Sequence, residues 1–177
     1  MLRSIYIFAA LAVSGAATTT SVWAEAPQLK TPSPAIYLSD NLGEPQDLGW
    51  CIDTLGRGYA ENLQAHSCKP QGGDVQFAYS PETNLISSVP YAGKCMSLRA
   101  APTPTAFSLE DCDLTQDAQK FVYTSTNGQI SPAADVNKCV AVGEEIRQAG
   151  PFSSRDLDLV DCNDVAQERS AWTIRDE

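Results

Sequence analysis

Basic residues are scarce in this chain: 12 Lys and Arg stand against 22 Asp and Glu, a formal net charge of −10. Phosphate-rich partners and anionic membrane surfaces are held by clustered Lys and Arg, so the balance speaks against nucleic acid. Histidine is scarcer still. His66 is the single one in 177 residues, which leaves a hydrolytic triad one candidate base and a zinc site one imidazole. There is no Gly-x-Ser-x-Gly and no Cys-x-x-Cys. Carboxylates are plentiful, but any pair picked from so acidic a chain has no specificity for glycosidase chemistry. Long apolar runs are missing too. The longest, Ile5 to Val13, falls well short of the ~18 to 20 residues that span a bilayer. The expectation is a protein without catalytic activity, cofactor, bound metal, nucleic-acid partner or membrane insertion.

That short apolar run follows Arg3 and precedes small and hydroxyl residues ending in Val22-Trp23-Ala24. Charge, short apolar stretch and small-residue cleavage site, in that order, read as a signal peptide over residues 1–24. The protein is therefore expected to be secreted, extracellular or periplasmic. Its removal takes away one Arg and no acid, leaving the remainder slightly more acidic. Residues 25–35 carry three prolines and read as an extended leader. Residues 36–177 have the length of one domain.

All six cysteines lie in that domain, and an even count in an exported chain reads as a disulfide framework. Their spacing is regular. Cys51, Cys95 and Cys139 are 44 residues apart, Cys68 and Cys112 are again 44 apart, and Cys162 follows after 50. The chain thus contains three repeats, approximately 36–85, 86–129 and 130–177. Each has a cysteine in a strand-like run (Trp50-Cys51-Ile52-Asp53, Lys94-Cys95-Met96-Ser97, Lys138-Cys139-Val140-Ala141) and a second after an alternating run such as Leu63-Gln64-Ala65-His66-Ser67-Cys68. Nine or ten residues later comes an aromatic: Phe77, Phe121 or Trp172.

Period-2 alternation in short runs bounded by Gly, Pro, Asn and Asp describes half-buried strands, about four per repeat. No segment carries a helical stripe, so the domain is all-β with threefold internal symmetry. Ile36-Tyr37-Leu38 reads as the first strand. Six cysteines allow 15 pairings. The symmetry favours Cys51 with Cys68, Cys95 with Cys112 and Cys139 with Cys162, each bridge contributing ~3 kcal/mol on the loop-entropy estimate. Phe77, Phe121 and Trp172 fall on the buried face of their strands.

These motifs resemble the ricin B chain-like lectins, whose repeats open with Cys-aliphatic-Asp and close with Gln-x-Trp. Here the opening is complete in Cys51-Ile52-Asp53, and the closing survives as Gln119-Lys120-Phe121, with Val75-Gln76-Phe77 and Ser170-Ala171-Trp172 as degenerate copies. The resemblance implies a β-trefoil with up to three shallow sites for galactose-type sugars, whose partners are glycans or glycoproteins.

A pyranose offers an apolar face to a ring and hydroxyls to donors and acceptors, and a carboxylate accepting vicinal hydroxyls sets its orientation. Carried over by position, the family's acid, polar residue and stacking ring fall on Asp53, Gln64 and His66 in repeat one. A fourth polar group falls near Asp74, with Gln71 or Gln76 as neighbours in the alignment. Repeat two has Ser97, Ser108 and Glu110 there, and repeat three has Ala141, Asp158 and Val160. Only repeat one keeps both acid and ring.

Plainer readings stand beside these. Asp53 can cap a turn and His66 can be an ordinary strand residue. Trp50 packs against the disulfide or lies exposed. The acids Asp156, Asp158, Asp161 and Asp164 with Asn163 lack a recognisable calcium loop. The third repeat is longer by six residues within 143–156. There a tolerated insertion competes with a partner-contacting loop that presents Phe152. Two other functions remain open: a protein-binding or toxin-accessory subunit with degenerate sugar sites, contacting another secreted chain, and an inhibitor of a secreted enzyme.

Overall fold

The computed structural model describes residues 25–101 and 105–177. The export signal read at 1–24 lies outside them. Repeat one supplies β1 (Ala35–Leu38), β2 (Trp50–Thr54), β3 (Leu63–Ser67) and β4 (Phe77–Ser80). Repeat two supplies β5 (Leu85–Ser88), β6 (Lys94–Leu98), β7 (Phe107–Asp111) and β8 (Phe121–Thr124). Repeat three supplies β9 (Gln129–Pro132), β10 (Lys138–Val142), β13 (Leu157–Asp161) and β14 (Trp172–Arg175), with an extra hairpin, β11 (Arg147–Ala149) and β12 (Phe152–Arg155), in its insertion.

Two kinds of hairpin build the domain. Within each repeat the two cysteine-bearing runs pair antiparallel: β2 with β3, β6 with β7 and β10 with β13. Between repeats, β4 pairs with β5 and β8 with β9, while β14 pairs with β1 and so joins the two ends of the chain. Four strands per repeat, joined in this threefold way, make a β-trefoil. One disulfide closes each repeat, Cys51–Cys68, Cys95–Cys112 and Cys139–Cys162.

The core is filled by equivalent positions. Phe77, Phe121 and Trp172 open the last strand of each repeat, and Ile36, Ile86 and Ile130 are second in the first strand; all are buried in one cluster. Burying each such side chain contributes ~1.5 to 3 kcal/mol. The two buried indoles keep their N–H groups satisfied, Trp172 donating to the Val140 carbonyl at 2.8 Å and Trp50 to the Asn41 carbonyl at 2.9 Å. Trp50 is thus a core residue. Gly128 shows why one turn needs glycine: φ is +73°, and a Cβ there would meet the Trp172 carbonyl oxygen at 2.8 Å.

Repeat one departs from the alternating pattern. All five residues of β2 and all five of β3 are buried, whereas β7 ends in exposed residues and β13 is only half-buried after Leu157. The physical reason is cover on both sides. The inserted hairpin lays β12 beside β3, pairing Ser154 with His66 and Arg155 with Ala65. The leader lies against the other side without regular secondary structure. Leu29 packs on the Cys51–Cys68 bridge, buried Thr31 donates to the Lys69 carbonyl, and the Gln28 amide donates to the Asp47 carbonyl.

Candidate functional site

The register of β2 and β3 sets Asp53 opposite Gln64 and Cys51 opposite His66. Gln64 Nε2 lies 3.4 Å from Asp53 Oδ2 and donates to the Thr54 carbonyl at 3.2 Å. Just past β3, the Cys51–Cys68 bridge brings the chain back over β2 and delivers a side chain between two acids. Lys69 Nζ stands 3.1 Å from Asp53 Oδ2 and 2.7 Å from Asp74 Oδ1. His66 Nδ1 is 2.9 Å from the Ser67 carbonyl and 3.9 Å from Asp53 Oδ2. A carbonyl only accepts, so Nδ1 carries the proton and Nε2 is left as an acceptor. The four residues singled out from sequence therefore form one cluster, with Lys69 at its centre.

A cavity of about 490 Å³ opens beside them. Gln64, His66, Lys69 and Asp74 line its repeat-one side, with the loop Leu55–Gly58 at its rim. Its other side is the inserted hairpin, from Gln148 to Phe152. Gln71 and Gln76 are not among its lining residues. Gln76 instead serves the leader, donating to the Ser33 carbonyl at 3.1 Å.

Two positions differ from what the resemblance implies. Asp53, expected to accept sugar hydroxyls directly, is fully buried and does not line the cavity. Its Oδ1 has no hydrogen-bond partner. Burial pushes its carboxyl up to about 7, against the pull of Lys69. The acid at the cavity wall is Asp74. His66, expected to offer an open ring, is only 4% exposed. Phe152 covers it edge to face, with ring centroids 5.8 Å apart and planes at 65°. Burial also pushes the imidazole below its ordinary value, so it is neutral at pH 7.

The charges nearly cancel. Lys69 and Arg57 face Asp74 and a partly protonated Asp53, so neither sign dominates, and this arrangement suits an uncharged ligand that needs directed donors and acceptors. Among the described residues, one Lys69 N–H, the second Asp74 oxygen, Gln64 Oε1 and His66 Nε2 have no other hydrogen-bond partner and remain for it.

The pseudo-equivalent places differ in chemistry. Repeat two has a cavity of about 680 Å³ bounded by Ser97, Arg99, Glu110, Asp113 and Gln116, with no aromatic residue in its lining among the described residues. Glu110 stands where His66 does and is held by the Ser108 hydroxyl at 2.5 Å. In repeat three, Ala141 faces Asp158 and Val160 replaces the ring.

Lys69 escaped the sequence reading because it lies one residue outside the repeat motif. Its signal is an exception to the repeat: Asp113 and Asn163 occupy the same offset from the second cysteine. The insertion and its Phe152 stood out in the sequence as a candidate contact loop, but that the hairpin walls this cavity had no sequence signal, because it depends on pairing between β12 and β3, which lie in different repeats.

No protein-family model matches the sequence, and no curated protein matches it. Solved structures do match by shape. The β-trefoil lectin of the Vibrio vulnificus hemolysin/cytolysin, solved with N-acetyl-D-lactosamine bound, is 15% identical over 80% of this chain and 91% of that one, with a TM-score of 0.53. The fold is a β-trefoil. The cytolethal distending toxins of Actinobacillus actinomycetemcomitans (14% identity, 81% and 91% coverage, TM-score 0.49) and Haemophilus ducreyi (15%, 81% and 85%, TM-score 0.48) also match.

Proposed function

We propose that the protein is an exported, non-catalytic carbohydrate-binding module with one site, the repeat-one cavity, for an uncharged galactose-type sugar. The observation that carries this reading is the convergence of Gln64, His66, Lys69 and Asp74 on that cavity with Asp53 buried behind them. In this role Asp74 and Lys69 bond vicinal hydroxyls, Gln64 and His66 accept from others, and Asp53 holds Lys69 in place. Support comes from the near-cancelled local charge, from the sugar-bound state of the Vibrio lectin that shares the fold, and from three disulfides of the kind that persist in oxidising compartments.

A glycan array probed with the full chain tests it, followed by titration of the best ligand, with N-acetyl-D-lactosamine as first probe. A single unlinked site has no avidity, so Kd on the order of 0.1 to 10 mM is expected. Asp74→Ala should abolish binding and Glu110→Ala in repeat two should leave it unchanged. A blank array together with recovery of a stable complex with another secreted protein would favour the toxin-accessory or inhibitor reading instead.

A further inference from the structure

We infer that the apolar face of the ligand rests on Phe152, so that the site is shared between repeat one and the hairpin inserted in repeat three. This rests on the carbohydrate-binding reading above. A pyranose lies flat on an aromatic ring only if one ring face is open. His66 cannot supply that face, being 4% exposed and capped by Phe152. Phe152 is half-buried, and among the described residues His66 and Phe152 are the two aromatic rings in the cavity wall. The aromatic platform has thus passed from the repeat's own strand to a residue with no counterpart at 44-residue spacing. His66 becomes the support behind it.

The hairpin that carries Phe152 is braced at its turn and against repeat one. Gln148 Nε2 donates to the carbonyls of Gly150 at 2.5 Å and Phe152 at 3.0 Å, closing the turn. Gln46 Nε2 reaches the Pro151 carbonyl at 2.8 Å from the β1–β2 loop. The Ser153 amide donates to the Ser67 hydroxyl at 3.0 Å, and that hydroxyl donates in turn to buried Glu44 at 2.6 Å. A platform already held in place loses little freedom when a ligand arrives, which is the general route to useful affinity from a small site. A sugar on Phe152 turns its hydroxyl edge toward the repeat-one side, where Asp74, Lys69 and Gln64 stand. The two walls therefore select together for a ring with one apolar face and an adjoining polar edge.

The array's strongest ligand, titrated against wild-type chain, Phe152→Ala and Phe152→Trp, decides the matter. Phe152→Ala should weaken binding at least tenfold. Phe152→Trp should stay within about threefold of wild type, and ligand should change the emission of the new indole in a saturable way with the same Kd. Amide chemical shifts away from 143–156 should match wild type in both variants. Wild-type affinity in Phe152→Ala, or an indole signal in Phe152→Trp blind to bound ligand, overturns the inference and leaves the carbohydrate-binding reading intact. If Phe152→Ala does not fold, the indole signal decides alone. A blank array removes both readings together.

Discussion

Lys69 Nζ lies 3.1 Å from Oδ2 of Asp53, a carboxylate with no exposed surface. A buried pair of this kind does not owe its cost of removal to the contact alone, because deleting one partner leaves the other without its counter-charge in a poorly hydrated place. Asp74 continues to hold Lys69, which softens the loss. Asp53→Ala should therefore lower the unfolding free energy by about 2 to 4 kcal/mol and weaken sugar binding with it. Urea denaturation checks the first part. A loss below about 0.5 kcal/mol would show that Asp53 does not hold the lysine.

Protonation of Asp53 gives a pH dependence of definite sign. Its folded value is raised to about 7 from 3.8, so the folded state keeps a proton that the unfolded state has already lost. Stability from this group is full below about 3.8 and is lost as pH rises through about 7. The stability of wild type minus that of Asp53→Asn should fall by about 2 to 3 kcal/mol from pH 5 to pH 8. His66, lowered by burial, acts in the opposite sense at acid pH but is common to both proteins and cancels. A flat difference curve in denaturant titrations across this range would contradict the assignment.

The three disulfides should differ in function though not much in stability. Cys51–Cys68 and Cys95–Cys112 span 17 residues and Cys139–Cys162 spans 23, so removing any one as a Cys→Ala pair should cost about 3 kcal/mol. Only the first holds the end of β3 and Lys69 beneath the cavity. Affinity measured well below the melting temperature should drop in Cys51→Ala/Cys68→Ala and persist in Cys139→Ala/Cys162→Ala.

Arg155 anchors the inserted hairpin. Its buried guanidinium lies 4.8 Å from the Trp50 ring centre and donates to the carbonyls of Gly143, Glu144 and Leu42 at 2.8 to 2.9 Å. Arg155→Met keeps the stem and leaves these carbonyls unpaired, at a cost of about 2 to 4 kcal/mol. Hydrogen exchange should rise first at the amides of β11 and β12, and ligand binding should weaken because Phe152 loses its fixed position. Exchange that increases uniformly over the domain would mean that Arg155 supports the fold and not the hairpin.

Much of this molecule is written in short-range pattern. Two cysteines per repeat at a near-constant period, period-2 alternation and aromatics such as Phe77 and Phe121 determine the strands, the threefold arrangement, the pairing of the bridges and the core, because each of these depends on residues close together or on the repeat itself. The grouping of Asp53, Gln64, His66 and Asp74 came from the resemblance to the ricin B chain-like lectins, carried over by position within one repeat. What tertiary structure alone decided is which of these side chains a ligand can reach. Burial of Asp53 depends on Lys69 folding back over it and on the leader that holds the Lys69 carbonyl through Thr31. Covering of His66 depends on Phe152, 86 residues away, through the pairing of β12 with β3. Solvent access is a sum over everything packed around a group, including distant chain, and periodicity along one strand carries no information about what lies across its outer face.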